Sequence, residues 1–140
     1  MEPISFIGKD ILSVLNDLRS EEIVDYAKTE GDEFLHLKEK GFYLHSKNST
    51  GKIFDCRIYF VSHEDYFPAR DISRGKFAGI SSFSDMNNLI GPCERELRAL
   101  NIPGRPPTLP GKQYVDGDFL ISAFSDNGES ITFIHVKTEV

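Results

Sequence analysis

One order of apolar patterns occurs twice in this chain, and it restricts the fold more than any other feature. Each copy begins with a helical stripe and continues as short alternating segments joined by glycine turns. Phe42-Tyr43-Leu44-His45-Ser46 matches Phe119-Leu120-Ile121-Ser122-Ala123 at an offset of 77, which also lays Gly51 on Gly128, Phe54 on Ile131 and Cys56 on Phe133. An offset of 75 aligns the helices, placing Asp10 on Asp85, Ile11 on Met86, Val14 on Leu89 and Leu15 on Ile90. The chain divides accordingly into a first unit at 4–62, a connector at 63–79 and a second unit at 80–138, all within a single domain at 1–140.

The first helix is expected from Gly8 to Leu18, where Ile7, Ile11, Leu15 and Leu18 recur at helical spacing. Ser20-Glu21-Glu22 reads as the cap of a short helical piece through Tyr26 and Ala27. Strands follow at Glu33–Lys38, Phe42–Ser46 and Ile53–Val61. The last alternates most cleanly, with Phe54, Cys56, Ile58 and Phe60 against Asp55, Arg57, Tyr59 and Val61. In the second unit Ser82 opens a helix that turns Met86, Leu89 and Ile90 inward and stops at Gly91-Pro92. A further helical turn is expected within Glu94–Leu100. Pro103, Pro106, Pro107 and Pro110 then hold an extended loop. Strands at Gln113–Val115, Phe119–Phe124 and Ser130–Lys137 complete the unit.

These elements predict an α+β fold of two tandem helix–β–β–β units. Together they form an antiparallel sheet of about six strands with the helices on one face. The other face is left open. It is expected to carry Asp55, Arg57 and Tyr59 from the first unit and Thr132, Ile134 and Val136 from the second.

A formal charge of −6 argues against nucleic acid as a partner, since phosphates require clustered Lys and Arg. It favours a neutral or basic partner. No apolar run reaches the length of a membrane span, so no membrane partner is expected. Cys56 and Cys93 are the only cysteines and show neither a disulfide framework nor zinc spacing. Free thiols, and an N-terminus without a basic region and apolar run, lead to an expected cytoplasmic location.

The residues that could carry chemistry do not assemble into a site in the sequence. In His63-Glu64-Asp65, neighbouring side chains of an extended segment point to opposite sides. His45 and Cys56 lie on strands expected to pair, but Cys56 sits among Phe54, Ile58 and Phe60, where a thiol is inert. His36 and His135 are isolated, and Gly104-Arg105-Pro106 lacks the amide donors of a phosphate loop. No catalytic, cofactor-binding or metal-binding residue is assigned, and no cofactor is expected.

The run Gly79-Ile80-Ser81-Ser82-Phe83-Ser84-Asp85-Met86-Asn87-Asn88-Leu89-Ile90-Gly91-Pro92 resembles a helix opening of small bacterial α/β repeat domains. Asn127-Gly128-Glu129-Ser130-Ile131-Thr132-Phe133 supplies the matching polar turn and strand, and Thr50-Gly51-Lys52-Ile53-Phe54 echoes it. The pattern is similar to the helix–sheet units of the beta-lactamase inhibitory protein and to immunity proteins encoded beside secreted bacterial toxins. The first unit departs from it, having Asn16-Asp17-Leu18 where the Gly-Pro stop would fall. The resemblance implies a non-catalytic protein that neutralises a toxin by tight binding. It transfers no functional residue.

The resulting expectation is a binding protein for a protein partner, such as a basic toxin domain with nuclease activity. An adaptor and an enzyme of unrecognised type are the alternatives. Tyr59, Tyr66, Phe67 and Tyr114, with Arg70 and Arg105, are the candidate anchors, because large aromatic and arginine side chains carry most binding energy. Asp55, Arg57, Glu64, Asp65, Asp116 and Asp118 are the candidate charged contacts, which steer association and select partners.

Overall fold

The computed structural model describes residues 1–138. Asp10 accepts a hydrogen bond from the Ser13 backbone N–H at 3.0 Å and so caps the first helix, α1 (Ile11–Leu18). The expected start at Gly8 is too early, because the backbone of Lys9 and Ile11 is already bonded to Ile53 and Gly51. Four strands follow: β1 (Asp25–Lys28), β2 (Asp32–Leu37), β3 (Phe42–Lys47) and β4 (Ile53–Tyr59). The connector contains one helical turn, α2 (Asp71–Arg74). A capping box between Ser82 and Asp85 opens α3 (Phe83–Ile90). Beyond it lie β5 (Arg95–Leu97), β6 (Gly111–Asp116), β7 (Phe119–Phe124) and β8 (Phe133–Thr138).

Among the described residues the fold is α+β with one antiparallel sheet of eight strands rather than about six, in the order β1-β2-β3-β4-β8-β7-β6-β5. The additional strands are its two edges. Tyr26-Ala27 and part of Glu94–Leu100, both expected to be helical, form β1 and β5 instead. Segments this short take their conformation from the strand beside them rather than from local propensity. Each half is therefore a helix followed by four strands, not three.

The two halves meet along β4 and β8, where Arg57 opposes His135. Cys56 with Val136 and Ile58 with Ile134 flank that pair symmetrically. Matching hydrogen bonds fix the correspondence elsewhere: Ile53 N–H donates to Lys9 O and Ile131 N–H donates to Ser81 O, each at 2.9 Å. Asp10 therefore corresponds to Ser82 and not Asp85, and Ile53 rather than Phe54 corresponds to Ile131. Cys56 corresponds to Ile134, not to Phe133. That one-residue difference matters, because it turns every side chain of β8 to the opposite face.

Ile134 and Val136, expected to face outward, are fully buried on the helix side, and Thr132 is buried with them. The core lies between α1, α3 and this inner face. It contains Ile11, Val14, Leu18 and Met86 from the helices, and Leu35, Leu37, Leu44, Cys56, Ile121 and Ile134 from the sheet. Burying one such aliphatic side chain contributes about 1.5–3 kcal/mol. Leu89, expected inward, is exposed, because Met86 alone of the middle of α3 points at the sheet.

Candidate functional site on the helix-free face

Among the described residues, no helix of the core lies over the outer face of the sheet. Beyond the register shift that turns Ile53 into the core, Tyr43 and His45 of β3 and Asp55, Arg57 and Tyr59 of β4 point there. Pairing of β4 with β8 adds Phe133, His135 and Lys137. The start of the connector and the end of the proline loop lie over this same face, while Ala69 and Phe77 of the connector pack into the helix-side core. From the connector, the Tyr66 ring stacks on Tyr59 with centroids 4.2 Å apart, and its hydroxyl shares a hydrogen bond with His36 Nδ1. From the proline loop, Leu109 packs against the cluster of Tyr59, Tyr66 and Phe133.

At one end of the face, Asp55 is buried and holds two histidines. His45 donates from Nδ1 to Asp55 at 3.0 Å and from Nε2 to Asp32 at 2.7 Å, while His135 Nε2 lies 3.2 Å from Asp55. Burial alone would push the His45 imidazolium down, but the bonds to Asp55 and Asp32 together outweigh it and raise its pKa. The Asp55 carboxyl is resisted by burial too, yet His135 and His45 hold it below the usual carboxylate range. Lys47 and His45 lower that of Asp32. His36 is pushed down, first by burial and then by the nearby Lys38 charge. Among the described residues, no group of three or more His, Cys, Asp or Glu side chains is placed to hold a metal ion.

At the other end is a cleft of about 620 Å³. The sheet supplies Arg57, Phe124 and Phe133, the connector His63 and Glu64, and the proline loop Pro106 to Leu109. The Arg57 guanidinium lies 4.1 Å from the Phe133 ring centroid and 5.4 Å from that of Tyr43. Cation–π contacts of this kind hold the guanidinium against the two rings. Arg57 Nε is buried and has no hydrogen-bond partner among the described residues. Arg74 shows the contrast: its three nitrogens donate to the carbonyls of Ala69, Ile80 and Phe60, which ties the connector to the fold.

The residues expected to contact a partner fall into separate groups. Asp55, Arg57, Tyr59, Glu64 and Tyr66 come together on the outer face, with Asp55, Tyr59 and Tyr66 buried there rather than exposed. Asp65 is beside them, paired with Lys38 at 2.6 Å. Phe67 and Arg70 line a different hollow with Glu39 and Pro68. Asp116 pairs with Lys76, and Asp118 is exposed in the adjoining turn. Tyr114 is not a surface anchor at all: it is fully buried on the helix side, donating to Asn87 Oδ1 at 2.8 Å. His45 and Cys56 project to opposite faces, since Asp55 opposes the first and Leu44 the second. Burial pushes the Cys56 thiol strongly up, so it is not a nucleophile.

Neither Phe124 nor Phe133 is among the contact residues expected from the sequence. The correct parity of β8 was the signal that would have placed Phe133 and His135 beside Arg57.

No family model matches the chain, and no curated protein does. Among solved structures it is similar to an extracellular protein containing a SCP domain from Bacillus anthracis, with 11% identity and a TM-score of 0.56 over 99% of this chain and 46% of the other. It is also similar to a cysteine-rich secretory protein from Staphylococcus aureus, with 12% identity and a TM-score of 0.50 over 96% of this chain and 45% of that one. These findings overturn the resemblance to the beta-lactamase inhibitory protein and to immunity proteins. The sequence run behind it is a capped helix followed by a turn, a local pattern that many folds share. They also remove the basis for a cytoplasmic location, since free thiols are a weak guide and both similar proteins are named as extracellular or secretory. The chain spans just under half the length of each, and the likeness at this identity is one of fold.

Proposed function

We propose that this chain is a non-catalytic binding protein whose contact surface for a protein partner is the helix-free face of the sheet. One observation carries the reading: His63 to Tyr66 of the connector and Pro106 to Leu109 of the proline loop, both outside the repeat, converge on that face and leave the cleft of about 620 Å³ between them. Clefts lined by aromatic and apolar groups with a few fixed polar ones are where binding concentrates. A basic partner such as a toxin domain is the narrower form of the proposal. The net charge of −6 supports it.

The test compares variants on the two sides of the sheet, using the immobilised full chain and extracts of its source. Pro107 is exposed on the proline loop, and Leu89 is exposed on α3. The proposal expects Pro107→Glu to abolish capture of a stoichiometric partner and Leu89→Ser to leave it intact. The reverse pattern would place the interface on the helices and overturn the reading.

A further inference from the structure

We infer that the cleft beside Arg57 receives the C-terminal carboxylate of a partner chain whose last residue is apolar. The inference rests on the proposed binding function and names the part of the partner that the cleft takes. It comes from a contrast between the two arginines of this region. Arg74 directs its donors at three carbonyls. Arg57 is fixed between Phe133 and Tyr43, lines the cleft, and makes no ion pair among the described residues. Its Nε is closed off from the cleft, opposite the Nδ1 of His135, which is equally unpartnered among the described residues, so the donors it offers to the cleft are those of its terminal nitrogens. The group that best matches its planar fork is a carboxylate or a phosphate.

The rest of the cleft decides between those two. Its other walls are Phe124, Phe133, Pro106, Pro107 and Leu109, which suit an apolar side chain next to the anion. Glu64 sits at the rim with its side chain 64% exposed and within 3.4 Å of His63 Nε2. A carboxylate at the mouth tolerates a monoanion better than a doubly charged phosphate. Glu64 also has a φ of 55°, the single positive value outside glycine among the described residues, so the backbone holds it in an unfavourable conformation beside the cleft. An apolar residue ending in a free carboxylate satisfies the cation and fills the walls at once.

The test titrates the full chain by calorimetry with three probes: N-acetylphenylalanine, its C-terminal amide, and 3-phenylpropionate. A heptapeptide ending in phenylalanine is the fourth. Hydrogen bonds to a charged group predict that the acid binds at least about tenfold tighter than the amide. Arg57→Gln is expected to bring the acid to the level of the amide. Arg57→Lys, which keeps the charge and loses the fork, should fall between them. The peptide should bind more tightly than 3-phenylpropionate.

Equal binding of acid and amide to the unsubstituted chain would overturn the inference without relying on any variant's folding. So would the absence of binding at millimolar probe. Equal affinity for the peptide and 3-phenylpropionate would assign the cleft to free acids and overturn the chain-end reading. The two levels fail separately. If Pro107→Glu abolishes partner capture but no acid binds, only the chain-end inference falls. If capture maps to the helix side, the binding-face reading falls whatever the acids do.

Discussion

His45 and Asp55 oppose each other across β3 and β4, and the imidazole Nδ1 donates to a carboxylate with only 5% of its side chain exposed. Asp55 also faces His135 at 3.2 Å, so its removal strands His45 Nδ1 and His135 Nε2, although His45 keeps Asp32 on its other nitrogen. Asp55→Ala should lower stability by about 3 kcal/mol, the cost of breaking a buried charged pair from one side. Urea unfolding with a common slope measures it. Asp65→Ala, which removes an exposed partner of Lys38, should leave the midpoint unchanged.

The same network sets a pH dependence with a definite sign. The folded pKa of His45 is raised, so its contribution is complete below the unfolded value of about 6.5 and disappears as pH rises through the folded one. Asp55 is lowered, so its contribution is present above the unfolded value of about 3.9 and disappears as pH falls through the folded one. His36, lowered by burial, loses its contribution as pH falls. The difference between the unsubstituted chain and His45→Gln isolates the first of these. That difference should grow as pH is lowered from about 8 to about 5. A constant difference across that range would show that the two carboxylates do not hold His45 charged.

Gly41 explains how the connector reaches the sheet. It has a φ of 79°, and a Cβ there would run into the Ala69 backbone nitrogen and the Phe67 carbonyl. The connector is bonded to this region by Phe67 N–H to Lys38 O at 3.0 Å and Ala69 N–H to Tyr59 O at 2.8 Å. Gly41→Ala should destabilise by about 1–3 kcal/mol from backbone strain alone. It should also speed proteolysis within 63–70, read by mass spectrometry of limited digests.

Tyr114 separates a structural role from a contact role. Its ring is fully buried and its hydroxyl bonds to Asn87 on α3. Tyr114→Phe should cost about 1 kcal/mol, one buried hydrogen bond, with no effect on partner capture. Loss of capture at unchanged stability would contradict its placement in the core.

Much of the architecture was legible because period-two alternation is strong where one face is buried. Ile53–Tyr59 and Phe119–Phe124 are found close to where their patterns put them. The edges were not legible. Asp25-Tyr26-Ala27-Lys28 and Arg95-Glu96-Leu97 are too short and polar to carry a period, and only pairing with β2 and β6 makes them strands. The outer face was half legible. Asp55, Arg57 and Tyr59 were placed on it correctly, whereas β8 was read out of phase because Ile131 was aligned with Phe54 instead of Ile53. The cleft is lined jointly by Arg57, Glu64 and Pro107, which are far apart in sequence, and no local pattern announces such a meeting.

The meeting of the two halves along β4 and β8 has a consequence for how such a face can diverge. In a symmetric pair of separate chains, any substitution appears on both sides of the axis. Here the halves are joined, and each position is inherited independently of its counterpart. By the pairing registers, His45 and Asp55 of one half occupy the places that Phe124 and Phe133 hold in the other. One half has an ionic pair where its twin has two rings packed at a tilt, and Arg57 stands on the line between them. A covalent bond between equal halves has given this surface a direction, with a charged end and an oily end, which no symmetric assembly of the same units could have.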